Sequence, residues 1–110
     1  MADSTFTIFY SWQSDLPNSK NRNLIESCLR KAIRLLKDEI KEVSEFSIES
    51  DSRNDIGTPD LTESIFSKIE KCDILIADIS IINVQSNYRR TPNPNVLLEV
   101  GYASKAISWS

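Results

Sequence analysis

The chain has 110 residues, of which 40% are hydrophobic and 26% are charged, and it contains no histidine. This composition is typical of one ordinary globular domain and argues against a disordered chain. The formal net charge of −3 argues against a general nucleic-acid binder, which carries a basic stripe. The lack of histidine excludes nucleophiles activated by histidine and metal sites with histidine ligands.

The N-terminal sequence has no charged segment followed by an apolar segment, as a signal peptide would, and no apolar run approaches about 20 residues. We therefore expect a soluble, cytoplasmic protein with no membrane partner. Cys28 and Cys72 are isolated within predicted helical segments. We expect both to be small buried side chains in a reducing compartment.

The first half of the chain predicts a strand, a helix and a second strand. Residues 6–12 form a short aromatic and apolar run that indicates a buried strand. Over residues 22–41 apolar residues recur every three or four positions, which predicts an amphipathic helix. Residues 46–50 predict a shorter strand, and a polar loop that contains Gly57 follows it.

The second half predicts a helix, a strand and a third helix. Asp60 is the expected N-cap of the second helix, with Glu63 as its capping-box partner. Residues 73–80 (DILIADIS) are nearly all apolar at their centre, which indicates a central parallel strand buried on both faces. After a polar loop, Asn93 and Pro94 are the expected N-cap and first residue of the third helix.

Alternation of strands and helices predicts a parallel sheet with right-handed crossovers. We expect a flavodoxin-like three-layer α/β/α fold. Such sheets usually have five strands, and this chain predicts three, with Ile107 and Trp109 as the first residues of a fourth. We therefore expect residues 1–110 to be a single domain with an incomplete C-terminal end, the N-terminal part of a larger domain or protein.

Candidate ligand-binding residues follow the predicted strands, because ligands of open α/β sheets bind beyond the carboxyl ends of the strands. These ends are residues 11–13, the loop after the second strand, and Asp78 with its following loop. Asp78 either caps that turn or orients a ribose hydroxyl. Trp12 either packs in the core or stacks on a flat ring of a ligand.

Glu99 is the acid within the apolar run of residues 96–103. Asn95, Glu99 and Tyr102 share one face of the predicted helix and form a narrow polar stripe there. A buried carboxylate without a partner costs several kcal/mol, so Glu99 requires an explanation. It is an exposed residue at the helix edge, a catalytic acid, or a member of an ion pair. Three arginines are available for such a pair, namely Arg22, Arg89 and Arg90.

Arg89 and Arg90 lie just before the third helix. Guanidinium groups match phosphate geometry, so this pair is either a phosphate clamp or part of an ordinary charged loop. The chain has no GxGxxG motif and no Walker loop. A phosphate-bearing ligand would therefore be held by helix N-termini and arginines.

Three segments together resemble a known family: IFYSWQSD near the start, GTPDLTESIFSKIEKCDILIADIS in the middle, and PNPNVLLEVGYA near the end. They resemble the bacterial TIR-like domains of antiphage defence systems, which share a superfamily with nucleoside 2-deoxyribosyltransferases. The resemblance covers residues 6–106. It implies a flavodoxin-like fold and cleavage of NAD at the N-glycosidic bond to nicotinamide.

The resemblance also implies roles for individual residues. Glu99 matches the catalytic glutamate of the family, Asp78 would lie near the ribose, and Ser11 and Trp12 would line the nucleotide crevice. NAD would be the substrate, and no cofactor is expected. Many family members become active on assembly into homo-oligomers or filaments by a module that senses a signal. The remaining candidates for substrate binding are Asn95, Tyr102, Arg89 and Arg90.

The chemistry of the expected reaction suits a site with one carboxylate. Cleavage of an N-glycoside passes through an oxocarbenium-like centre, which a carboxylate stabilises by charge or by covalent capture. Nicotinamide is a cationic leaving group in NAD, so no strong general acid is required. Two alternatives remain: a deoxyribosyltransferase-like enzyme with Glu99 as covalent nucleophile, and a non-catalytic TIR-like module in which Glu99 belongs to a structural ion pair.

Overall fold

Strands and helices alternate along the chain in the computed structural model, which describes residues 4–50 and 59–107, with only the backbone of residues 59–62. This alternation confirms the predicted order of elements. The strands are β1 (Thr5–Ser11), β2 (Glu45–Glu49) and β3 (Ile74–Ala77), and the helices are α1 (Arg22–Glu39), α2 (Pro59–Lys71) and α3 (Pro94–Ala106).

The three strands form a parallel sheet in the order β2-β1-β3. Ile8 of β1 lies opposite Ile48 of β2 and Ile74 of β3, so β1 is paired along both of its edges. Each crossover between strands contains a helix, as parallel strands require. The observed order matches the first three positions of the 2-1-3-4-5 order of flavodoxin-like sheets, and the predicted α/β fold class is confirmed.

Side chains of β1 alternate between the two faces of the sheet and therefore contact different helices. On one face, Phe9 packs in an apolar cluster with Ile69 of α2 and Ala103 of α3. On the other face, the hydroxyl of Tyr10 donates a hydrogen bond of 3.3 Å to the carbonyl oxygen of Arg22 in α1. Helix α1 thus covers one face and helices α2 and α3 cover the other, giving three layers.

The two cysteines differ in environment. Cys72 lies in the apolar cluster, as predicted, where its thiol donates a hydrogen bond of 3.0 Å to the carbonyl oxygen of Ile69. Burial raises the pKa of the Cys72 thiol. Cys28 is exposed, so the prediction of a buried side chain is wrong there. It lies one residue before Leu29 and five before Ile33 on α1, off the stripe that faces the sheet.

The position of β3 in the sheet differs from the prediction. β1, rather than β3, is the central strand, and its last four residues are all buried. β3 is paired only with β1 among the described residues, and Ile74 is 45% exposed. An apolar run indicates a buried strand but does not specify which strands pair with it, so the sequence pattern did not determine the position of β3 in the sheet.

The start of α3 is as predicted. The side-chain oxygen of Asn93 accepts hydrogen bonds from the backbone N–H groups of Asn95 at 2.8 Å and Val96 at 3.3 Å. Pro94 occupies the first helical position, where its missing N–H is not needed. This N-cap fixes the helix start and therefore the direction in which the later residues of α3 point.

Two further predictions concern the other helix ends. α2 already includes Pro59, so Asp60 lies inside the helix and is not its N-cap. Proline is favoured at a first helical position because its ring fixes a helical φ. Beyond α3, Ile107 is extended, with φ of −99° and ψ of 128°. The predicted loop with Gly57 and the predicted strand residue Trp109 lie outside the described residues.

The apolar cluster predicts different costs for truncating two aliphatic helix residues. Ile69 is 0% exposed, so Ile69→Ala should lower the free energy of unfolding by about 2–5 kcal/mol through loss of burial and creation of a cavity. Leu35 in α1 is 69% exposed, and Leu35→Ala should change stability by less than about 0.5 kcal/mol. Urea unfolding followed by circular dichroism measures both. Equal losses would contradict the proposed core.

Candidate active site at the carboxyl end of the sheet

Polar side chains are buried at one place in the described part of the chain. Ser11 and Gln13 are 0% exposed, Glu99 is 4% exposed and Asp78 is 5% exposed. Ser11 ends β1, Gln13 and Asp78 follow β1 and β3, and Glu99 lies in the second turn of α3. We call these four residues the buried polar cluster. It lies at the carboxyl ends of the strands, where open α/β sheets bind ligands.

The geometry of β1 and α3 brings Ser11 and Glu99 together. The Ser11 hydroxyl donates a hydrogen bond of 2.7 Å to Glu99 Oε1. Ser11 is on the same face of β1 as Phe9, and Glu99 is one turn before Ala103 on α3. Since Phe9 and Ala103 pack in the same apolar cluster, core packing aligns the serine with the carboxylate.

The burial of Glu99 decides one of the alternatives left open by the sequence. With 4% of its surface exposed, Glu99 is not an exposed residue at the helix edge. Among the arginines named as candidate partners, the guanidinium carbon of Arg22 lies 3.8 Å from the centre of the Trp12 ring, and Arg89 and Arg90 are exposed. Membership of Glu99 in an ion pair stays a prediction.

Asp78 is held at the end of β3 by several donors. Its backbone N–H donates a hydrogen bond of 3.0 Å to the carbonyl oxygen of Ser11. Its Oδ2 atom accepts hydrogen bonds from Gln13 Nε2 at 2.9 Å and Asn21 Nδ2 at 3.1 Å. Its Oδ1 atom accepts one from the N–H of Ser80 at 3.0 Å. This last contact confirms the expected turn-capping role, while the contact with ribose stays a prediction.

The charge of Asp78 is stabilised by its hydrogen bonds. Burial raises the pKa of this carboxyl, but the hydrogen bonds from Ser80, Asn21 and Gln13 outweigh burial and hold the pKa below its usual value. The same charge acts on Tyr10. Burial, and after it the nearby Asp78 carboxylate, raises the pKa of Tyr10 to about 12. Asp78 is therefore an anion at neutral pH.

Asn21 is a functional candidate that the sequence did not indicate, and the sequence pattern places Gln13 at the end of the first strand without a role of its own. The Gln13 side-chain oxygen accepts hydrogen bonds from the N–H groups of Asp15 at 2.8 Å and Leu16 at 3.0 Å, while its nitrogen donates to Asp78. Gln13 thus connects the turn after β1 to the end of β3. The available signal was its position two residues after Ser11, at the predicted end of a buried strand.

The N-terminus of α3 is fixed to the same turn. The side-chain nitrogen of Asn93 donates a hydrogen bond to the carboxylate of Asp15. Asn93 is also the N-cap of α3, so one side chain joins the helix start to the turn after β1. This contact places the half-buried Asn95 and the first turn of α3 at the carboxyl end of the sheet, as predicted.

Two side chains of the polar stripe predicted on α3 contact different elements, β1 and α2. Glu99 contacts Ser11, whereas the Tyr102 ring stacks on Phe66 of α2 with the ring centres 4.0 Å apart. A hydrogen bond to Glu70, and secondarily burial, raises the pKa of the Tyr102 hydroxyl. Tyr102 therefore joins α3 to α2, and its contact with a substrate stays a prediction.

The remaining predicted substrate-binding residues are Trp12, Arg89 and Arg90. Trp12 is 7% exposed with Arg22 over its ring, so this side chain is packed in the structure, and its contact with a ligand ring stays a prediction. Arg89 and Arg90 are exposed in the loop before α3, and the Arg89 carbonyl oxygen accepts a hydrogen bond of 2.8 Å from Asn83. Their phosphate-clamp role stays a prediction.

Within residues 4–50 and 59–107, no three cysteine or acidic side chains lie close enough together to hold one metal ion. None of the described helices has the length and apolar character that a membrane crossing requires.

Comparisons with known proteins do not assign the chain to a family. No family model matches it, and no curated protein or solved structure gives a significant match.

The hydrogen bonds of Asp78 predict a pH-dependent contribution to stability. Because the folded pKa is lowered, this contribution is present above the unfolded pKa of about 3.9 and is lost as pH falls through the folded pKa. Asp78→Asn should lower the free energy of unfolding by about 1–3 kcal/mol at pH 7. The difference from the wild type should become smaller below about pH 4.

Urea unfolding at a series of pH values measures this effect. Asp38→Asn is the control, because Asp38 is exposed on α1 and its loss should change stability by less than about 0.5 kcal/mol. A constant difference between the wild type and Asp78→Asn from pH 7 to pH 3 would contradict the assignment.

Proposed function

We propose that the chain is a TIR-like NAD glycohydrolase of bacterial antiphage defence, which cleaves NAD to nicotinamide and ADP-ribose. The observation that carries the proposal is the buried Glu99 carboxylate, hydrogen-bonded to Ser11 at the carboxyl end of the sheet. The motif resemblance supplies the substrate, and the position of Glu99 supports it because open α/β sheets bind ligands at that end.

Glu99 would stabilise the positive charge that develops on the ribose as the bond to nicotinamide breaks. Glu99 is 4% exposed and lies between the buried Val96 and Ala103 on α3, so its carboxylate is largely removed from water. In such a surrounding a fixed charge interacts more strongly with developing positive charge than it would in water. The leaving nicotinamide requires no proton, which suits a chain without histidine.

Asp78 would hold the ribose. The carboxylate accepts hydrogen bonds from Gln13, from Asn21 and from both the backbone and the side chain of Ser80. A hydroxyl group of the sugar would replace or share one of these donors, and the others would keep the carboxylate in place.

The proposal also covers the location, the small-molecule partner and the assembly of the enzyme. We propose that it acts in the cytoplasm, that NAD is its small-molecule partner, and that homo-oligomers or filaments form on activation. The net charge of −3 supports a function without direct nucleic-acid binding.

The test is nicotinamide release from NAD, followed by chromatography over a range of protein concentrations that includes high ones. The wild type should release nicotinamide. Glu99→Gln keeps the size of the side chain but removes its charge, and it should reduce release at least about a hundredfold. Glu39→Gln, at the exposed end of α1, is the matched control and should keep wild-type activity.

Each outcome separates the alternatives, provided that circular dichroism shows folded protein. Equal release by Glu99→Gln and the wild type would contradict the role of Glu99. Exchange of the base on a deoxynucleoside, without hydrolysis of NAD, would favour a deoxyribosyltransferase-like enzyme. No turnover of either substrate by a folded wild type would favour a non-catalytic module.

A further inference from the structure

Ser11 makes two hydrogen bonds to other residues of the protein. Its hydroxyl donates a hydrogen bond of 2.7 Å to Glu99 Oε1, and its carbonyl oxygen accepts one of 3.0 Å from the N–H of Asp78. One residue thus contacts both acids of the buried polar cluster. Ser11 is also 0% exposed, so its side chain offers no surface to a substrate.

We infer that Ser11 is a positioning residue that orients the Glu99 carboxylate for the reaction, and not a substrate contact; this inference rests on the proposed function. A serine hydroxyl has one proton, and here Glu99 accepts it. The hydrogen bond fixes one oxygen of a side chain that has three rotatable bonds.

The strand that carries Ser11 makes this positioning rigid. Ser11 lies opposite Ala77 in the pairing of β1 with β3, and β1 is also paired with β2 on its other edge. A residue on a central strand is held more precisely than one on a loop. The end of β1 therefore sets the position of Glu99 relative to Asp78, with Gln13 holding Asp78 from the same segment.

A purely structural serine and a substrate-binding serine predict different kinetics. Loss of a structural contact lowers stability and leaves the turnover of the folded fraction unchanged. Loss of a substrate contact raises KM. Loss of a positioning contact lowers kcat with little change in KM, because a misplacement of about 1 Å costs about a hundredfold in rate.

The experiment measures kcat and KM for NAD in four proteins. Ser11→Ala should reduce kcat about ten- to a hundredfold and change KM less than about threefold. Ser11→Thr keeps the hydroxyl and should recover most of the lost kcat. Ser104→Ala is the matched control: Ser104 is exposed on α3, its hydroxyl donates to the Val100 carbonyl oxygen at 2.9 Å, and its loss should leave kcat unchanged.

A second readout does not depend on turnover. The carboxyl carbon of Glu99 gives a ¹³C resonance that Glu99→Gln identifies by its loss. This resonance should shift in Ser11→Ala and return toward its wild-type position in Ser11→Thr. If Ser11→Ala does not fold, Ser11→Cys takes its place, because it keeps the size of the side chain with a weaker donor.

The outcomes separate this inference from the proposed function. Wild-type kcat in Ser11→Ala, or a raised KM with unchanged kcat, would overturn the positioning role. A wild type that does not cleave NAD would overturn the proposed function. In that case a shifted Glu99 resonance in Ser11→Ala would still support orientation of the carboxylate by Ser11, and an unchanged resonance would overturn it.

Discussion

The constraint on which the site depends is the burial of a carboxylate in a helix that packs by its apolar residues. Glu99 lies on α3 between Val96 and Ala103, both of which are buried. Withdrawing a carboxylate from water costs several kcal/mol unless a donor compensates it. The hydroxyl of Ser11 is such a donor, and it reaches Glu99 because Phe9, two residues earlier on β1, packs in one cluster with Ala103. The position of α3 relative to β1 therefore determines two contacts: the apolar packing of Phe9 with Ala103 and the hydrogen bond of Ser11 with Glu99.

The central position of β1 brings two acids to its end from different elements. Glu99 approaches from the layer formed by α2 and α3. Asp78 approaches along the sheet from β3, and its partner Asn21 immediately precedes α1 on the opposite face. An edge strand could have met only one neighbouring strand. A strand that is paired on both edges and covered on both faces has contacts in every direction, so polar side chains at its end become buried and need partners.

The sequence predicted those features that depend on local patterns. Alternating elements and the Asn93 N-cap of α3 follow from periodicity and capping chemistry, and both are confirmed. The place of β3 in the sheet depends on the direction of each crossover, which an apolar run does not encode. Gln13 is a polar residue among other polar residues in the sequence, and only the fold shows that Asp78 is its neighbour.

Glu99 and Tyr102 share a helical face by spacing, yet three residues advance about 300° around a helix. The remaining angle of about 60° is enough to direct one side chain to β1 and the other to α2.

The two acids are suited to different work because their surroundings differ. Amide and backbone donors surround the Asp78 carboxylate, and they hold its pKa below the usual value despite burial. An acid that stays ionised through neutral pH has no proton to give, so Asp78 does not serve as a general acid there. Its fixed charge is suited to holding a hydroxyl group. Glu99 is withdrawn from water between the buried Val96 and Ala103 of α3, and it accepts a hydrogen bond from a hydroxyl. In the proposed reaction its charge would therefore interact strongly with a cation that forms beside it. In the proposed reaction, Asp78 orients the sugar and Glu99 stabilises the positive charge that develops on it.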